Sequence, residues 1–132
     1  MERRPVVLAI DDEVNVLKLI SVNLSLDGFQ VVTTAESQRA LEYLNLYQPD
    51  VVLLDIIMPQ IDGLKVLRQI RQQSNVPVII LTAINDVRTI EQALVNGADD
   101  FLVKPFNFRV LTARMKARMK SVNCYGVGFA SS

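Results

Sequence analysis

A doubly wound, five-stranded parallel α/β sheet in the order 2-1-3-4-5, flanked by five helices, is the fold this 132-residue sequence predicts. Three observations predict it. Short apolar runs alternate with amphipathic segments, the pattern of a parallel sheet covered on both faces. Connections are short and no internal repeat is present, so one domain is expected, and right-handed crossovers lead naturally to that strand order. Finally, Asp11, Asp12, Asp55, Thr82 and Lys104 each stand where an apolar run stops. In parallel strands all five emerge on one carboxyl edge, where open α/β sheets bind ligands.

The first strand is Val6–Ile10. Val14, Leu17, Ile20, Val22 and Leu24 then alternate with polar residues as one helix requires, and Asp27-Gly28 stops it because glycine accepts a left-handed conformation. Gln30–Thr33 is the second strand. Ala40, Leu41 and Leu44 mark a second helix that ends before Pro49. Val51–Leu54 is the third strand, and Leu64, Leu67 and Ile70 give the third helix its apolar face. Asn75-Val76-Pro77 turns into a fourth strand ending at Thr82. A helix over Val87–Val95 closes at Asn96-Gly97, and Phe101–Val103 is the fifth strand. Asn107 is placed to cap a last helix carrying Leu111, Met115 and Met119 on one side. Residues 1–120 are read as the domain. Residues 121–132 carry neither periodicity and read as a linker stub, a native tail or a vector-derived segment.

Half of the residues are apolar, yet no run approaches the ~20 that a membrane helix needs. The first five residues show no signal-peptide pattern, and Cys124 is the single cysteine, so a cytoplasmic protein without an intrachain disulfide is expected. Lys plus Arg equals Asp plus Glu at 14 each, which gives no reason to expect nucleic-acid binding. The absence of histidine excludes histidine catalysis, histidine metal ligands and a phosphohistidine on this chain.

Asp11 and Asp12 suit the free amides at the start of a helix. The third carboxylate, Asp55, shifts the balance, since strand three neighbours strand one and the acids then face each other. Such a cluster repels itself unless a cation or proton neutralises it. Mg²⁺ fits as a hard ion that prefers oxygen. Asp55 equally suits a strand-to-turn junction, but a carboxylate can also attack a phosphoryl group and carry it as an acyl phosphate. The transferring group needs positive charge and donors. Lys104, the Thr82 hydroxyl and backbone amides after strand three can supply them. Taken singly, Thr82 is also an ordinary β-branched strand residue and Lys104 a snorkelling one.

At this point the motifs carry a resemblance. Ile10-Asp11-Asp12-Glu13, Leu54-Asp55-Ile56-Ile57-Met58-Pro59 with Asp62-Gly63, Leu81-Thr82-Ala83, and Gly97 through Phe106 occur together in order. The chain resembles the receiver domain of bacterial two-component response regulators, most of all the branch with winged-helix transcription-factor outputs. The resemblance implies a phosphoacceptor at Asp55 and Mg²⁺ held by Asp11, Asp12, Asp55 and the carbonyl of Ile57. It implies that Lys104 pairs with the phosphoryl oxygens and that Thr82 and Phe101 form the switch, with a cis Lys104–Pro105 peptide. A sensor histidine kinase is the implied partner. The chain is then an enzyme only in catalysing its own phosphorylation and slow dephosphorylation. Gln60 departs from the glycine frequent in that loop. Ile57 and Ile84 are apolar where polar groups are common, which should restrict the attacking water and lengthen the acyl-phosphate lifetime.

The same resemblance puts readout on the fourth helix, fifth strand and fifth helix, the face through which that branch dimerises on phosphorylation. Ile90, Asp100, Val110 and Arg114 are the candidate dimer residues, with Asp100 and Arg114 an ion pair and Ile90 and Val110 an apolar contact. Packing of Val110 into its own core is the alternative. Arg109, Arg114, Lys116, Arg118 and Lys120 make the last helix basic, but it lacks a nucleic-acid reading motif, so no direct nucleic-acid contact is expected. The sheet is flavodoxin-like, yet a flavodoxin-type cofactor binder wants a phosphate-accepting loop where Asp11-Asp12-Glu13 would repel one. A haloacid-dehalogenase-type phosphatase needs Asp-x-Asp after strand one, and a P-loop hydrolase needs Gly-x-x-x-x-Gly-Lys-Ser/Thr; both are missing. A phosphorylation-independent interaction module is the remaining rival.

Overall fold

Five parallel strands, β1 (Val6–Ile10), β2 (Gln30–Thr34), β3 (Val51–Leu54), β4 (Val78–Thr82) and β5 (Asp100–Val103), form one sheet in the order β2-β1-β3-β4-β5. The helices are α1 (Val14–Leu26), α2 (Ala40–Tyr47), α3 (Gly63–Gln73), α4 (Val87–Val95) and α5 (Phe108–Lys120). This is the predicted order and element list, with strand ends shifted by one residue at most. A computed structural model describes residues 3–58, 61–83 and 85–120. Gln60, Ile84 and the segment 121–132 lie outside the described residues, as do Met1, Glu2 and Pro59, so the readings made of the loop at Gln60, of Ile84 and of the tail rest there. No helix among the described residues is long and apolar enough to cross a membrane.

Alternation along buried strands sends side chains to two cores. Val7, Ala9, Val51, Leu53, Ile79 and Leu81 pack with Leu17, Ile20 and Leu24 of α1 and Leu111, Met115 and Met119 of α5. Leu8, Ile10, Val52, Leu54, Val78 and Ile80 pack with residues of α2, α3 and α4. Each large side chain removed from water contributes about 1.5–3 kcal/mol, so β1, β3 and β4 are fixed in register from both faces. Asp50 anchors the start of the sheet by accepting from the Val6 amide at 2.7 Å and from Arg3.

Local chemistry ends the elements. Gly28 and Gly97 take left-handed φ values of 95° and 108° after α1 and α4. Asn107 accepts from the Arg109 and Val110 amides, the cap expected for α5. Two features were not anticipated: a 3₁₀ turn at Ser37–Arg39, and a short antiparallel pairing of Ile57–Met58 with Ile61–Asp62 just before α3. Gln48 closes α2 with φ 47°, a conformation that strains a side chain bearing a Cβ. Gln48→Gly is therefore expected to stabilise the fold by up to about 1 kcal/mol in urea denaturation, the strain relieved exceeding the entropy lost.

Helix α4 is held differently from the rest. Among its residues only Ala93 is buried. Its ends are secured by polar contacts: Asp86 accepts from the Arg88 amide and the Thr89 hydroxyl, while Arg71 donates to Gly97 O at 2.8 Å. Arg71 also reaches Val76 O and Asp99 Oδ2, and Asp99 accepts from the Val78 amide. This guanidinium ties the end of α3 to the starts of β4 and β5.

Candidate functional site

Strand register, continued one residue past each strand, builds the site. Ile10 pairs with Leu54, and the Asp55 amide donates to Ile10 O at 3.0 Å. The Asp11 amide donates to Thr34 O, so both acids are pinned by backbone bonds side by side. On the other half of the sheet Thr82 pairs with Val103, and the Lys104 amide donates to Thr82 O at 2.7 Å. Carboxylate oxygens of Asp11, Asp12 and Asp55 lie within 4.8 Å of one another. Asp11 and Asp55 are buried, and Asp12 is the more open to solvent.

The Lys104 ammonium reaches across this edge. Its Nζ lies 2.7 Å from Asp11 Oδ2, 3.1 Å from Glu13 Oε1 and 3.2 Å from Asp55 Oδ2. Asp55 Oδ1 accepts from the Ile57 amide at 2.9 Å, one of the amides expected after β3. Asp11 Oδ1 accepts from the Glu13 amide at 2.9 Å. Glu13, rather than Asp11 or Asp12, occupies the N-cap position of α1, and its side chain makes no capping bond. Asp11 thus gives one oxygen to the amide of the N-cap residue and the other to Lys104 in the cluster.

The electrostatics follow from that crowding. Burial pushes the Asp55 carboxyl above its usual range; the Ile57 amide opposes this, the Asp11 charge adds to it, and Lys104 opposes it again. For Lys104 burial alone would lower the pKa. The bond and charge of Asp11, the bond to Glu13 and the charge of Asp55 outweigh it and hold the ammonium above its ordinary range. Three carboxylates, those of Asp11, Glu13 and Asp55, meet one ammonium, and Asp12 adds a fourth acid beside Asp11 and Asp55. An oxygen-only donor set with surplus negative charge fits a hard divalent cation, so these residues suit Mg²⁺.

Each predicted site residue has a definite place. Thr82 is fully buried at the end of β4, between the strands that carry Asp55 and Lys104. Phe101 is half-buried against the core on the α2–α3–α4 face. The Lys104–Pro105 peptide is cis, as the resemblance implied. Ile57 is exposed beside Asp55. On the other face, Asp100 and Arg114 pair within the chain at 2.7 Å, and Arg118 approaches Asp100 Oδ2 at 3.7 Å. Val110 is 41% exposed, so it does not pack into its own core; Ile90 is half-buried. An open groove on α5 is lined by Val110, Ala113 and Ala117 with Arg109, Arg114 and Arg118. Glu13 is the site residue that the sequence reading left without a role; its position two residues after Asp11 was the available signal.

Residues 7–116 match the family model described as the response regulator receiver domain. A relative in Guillardia theta named probable transcriptional regulator ycf27 is 42% identical over 123 residues, covering 93% of this chain and 48% of that protein. Among solved structures, the receiver domain of the Francisella response regulator 1452 is 32% identical with a TM-score of 0.84, covering 90% of this chain and 99% of that one. The BeF3-activated N-terminal receiver domain of Klebsiella pneumoniae RstA is 30% identical with a TM-score of 0.83, covering 87% and 98%. The chain spans about half the length of the curated relatives it matches.

Proposed function

We propose, from the premise that this chain belongs to the response regulator receiver domain family, that Asp55 is the phosphoacceptor of a phosphorylation-controlled signalling switch. The observation that carries this reading is the Lys104 ammonium set between Asp11 and Asp55, on the sheet edge where the carboxylates converge. In the transfer step an Asp55 oxygen attacks the phosphorus of a phosphohistidine on a sensor histidine kinase. The new O–P bond forms as the P–N bond breaks, and the electron pair stays on the leaving ring nitrogen, so that a phosphohistidine protonated at its other ring nitrogen departs as neutral imidazole. Lys104 neutralises charge on the transferring oxygens, and the Thr82 hydroxyl supplies a donor.

Asp11, Asp12, Asp55 and the Ile57 carbonyl would hold Mg²⁺, which when bound adds positive charge at the phosphoryl oxygens. Hydrolysis of the acyl phosphate by water restores Asp55, and the exposed Ile57 side chain beside it slows that attack. Thr82 and Phe101, with Lys104 and Pro105 after β5, carry the change toward α4, β5 and α5. There Ile90 and Val110 offer an apolar contact, flanked by Asp100 and Arg114, for a second copy.

Residues 1–120 form the receiver unit, with 121–132 a segment beyond it. A transcriptional output domain receives the signal in the cytoplasm, in keeping with the names and the greater length of the relatives. The test is the intact mass of the protein after incubation with acetyl phosphate. A gain of about 80 Da, one phosphoryl group, is expected with Mg²⁺ and not after chelation. Folded protein that takes up no phosphoryl group from this donor or a second small one would overturn the reading and favour a phosphorylation-independent interaction module.

A further inference from the structure

A lysine ammonium has three N–H donors, and at Lys104 each faces a different carboxylate: Asp11 at 2.7 Å, Glu13 at 3.1 Å and Asp55 at 3.2 Å. The three acceptors are not equivalent. Asp11 and Asp55 are buried and fixed by the pairing of β1 with β3. The Glu13 side chain is 60% exposed, while that of Lys104 is 12% exposed. Phosphoryl oxygens arriving at Asp55 need N–H donors from an ammonium that has none to spare. Asp11 makes the shortest contact and is shielded from water, so solvent cannot replace the ammonium there as it can at Glu13. Water can take over the Glu13 carboxylate at little cost, because ion pairs at the surface contribute little to stability.

We infer that Glu13 is a positioning residue for the phosphotransfer proposed above: it parks one Lys104 N–H and must release it before the phosphoryl group is fully engaged. The inference rests on Asp55 being the phosphoacceptor. Glu13 acts through Lys104 and also sets a negative charge where a phosphoryl donor must approach. It therefore weakens engagement of the donor more than it slows the step within the complex.

The experiment is the time course of Asp55 phosphorylation by acetyl phosphate, read by intact mass over a range of donor concentrations at saturating Mg²⁺, using the full chain. Glu13→Gln keeps the side-chain length and removes the charge. Its half-saturating donor concentration is expected to fall roughly 2- to 5-fold, the range a surface ion pair can supply, with a smaller change in the maximal rate. Glu13→Asp restores the charge and is expected to move back toward the wild type. Thermal melting should barely change, since the side chain is solvated. Equal half-saturation for wild type and Glu13→Gln, or a change confined to the maximal rate, would overturn the role of Glu13 while leaving Asp55 as phosphoacceptor. Absence of an adduct on the wild type would overturn both.

Discussion

Asp55→Asn is expected to accept no phosphoryl group from acetyl phosphate and Mg²⁺, and to melt a few degrees above the wild type when Mg²⁺ is absent. The first effect is complete, because an amide oxygen cannot serve as the attacking carboxylate. The second has a physical source in the crowding of the site. Burial is the main cause that raises the Asp55 pKa in the folded protein, with the charge of Asp11 adding to it. A carboxyl raised on folding binds its proton more tightly in the native state. It costs no stability below its unfolded pKa, and the cost grows as pH rises from there through the folded pKa. Asparagine carries no such cost and still offers an oxygen to the Ile57 amide. The advantage of the variant should therefore open as pH rises past the ordinary carboxylate range and be absent in acid. A shift of a few degrees is what about 1 kcal/mol produces in a domain of this size. Thermal melts of both proteins across pH, in chelator, check the sign; a variant that melts lower at neutral pH would contradict it.

Gly63→Ala is expected to destabilise the fold by about 3 kcal/mol and to impair phosphorylation as well. A Cβ at this position would lie 2.3 Å from Ile56 Cα and 2.7 Å from Ile56 O. These are backbone atoms and cannot rotate aside as a flexible side chain would. Gly63 is the first residue of α3, directly after the capping residue Asp62, whose side chain accepts from the Leu64 amide at 3.0 Å. The helix start cannot retreat without giving up that cap. The segment it would push carries Ile56 and Ile57, and the Ile57 amide is the bond that orients Asp55. Urea denaturation and the acetyl phosphate assay should fall together. A substitution that lowered stability alone would mean that the loop after β3 absorbs the shift without disturbing Asp55.

The sequence made the sheet legible because its strands are buried on both faces and so read as unbroken apolar runs, Val51–Leu54 being the plainest. Strand ends were legible for the same reason, and Asp11, Asp12, Asp55, Thr82 and Lys104 were found by being polar where a run stops. The grip of Lys104 on Asp11, 93 residues away, follows from topology once those ends are placed. Other features leave no periodic trace. The need for glycine at 63 comes from a backbone approach seven residues earlier, and the Arg71 clasp joins residues on different elements. Asp100 and Arg114 were legible as a pair, yet only the fold shows them meeting within one chain. Glu13 follows the aspartate pair with nothing in its spacing to mark a role, because its partner Lys104 lies three strands away.

Helix α4 fastens at its two tips and hardly at all along its length, with Ala93 as its one buried side chain. A door leaf hung in this way swings without its frame being rebuilt. Tilting it would uncover the Ala93 methyl and the half-buried Ile90, whereas moving α1 would expose the buried Leu17, Ile20 and Leu24 together. This unequal anchoring leaves α4 less to give up in shifting than α1, with the Arg71 guanidinium holding Gly97 O at one end of it.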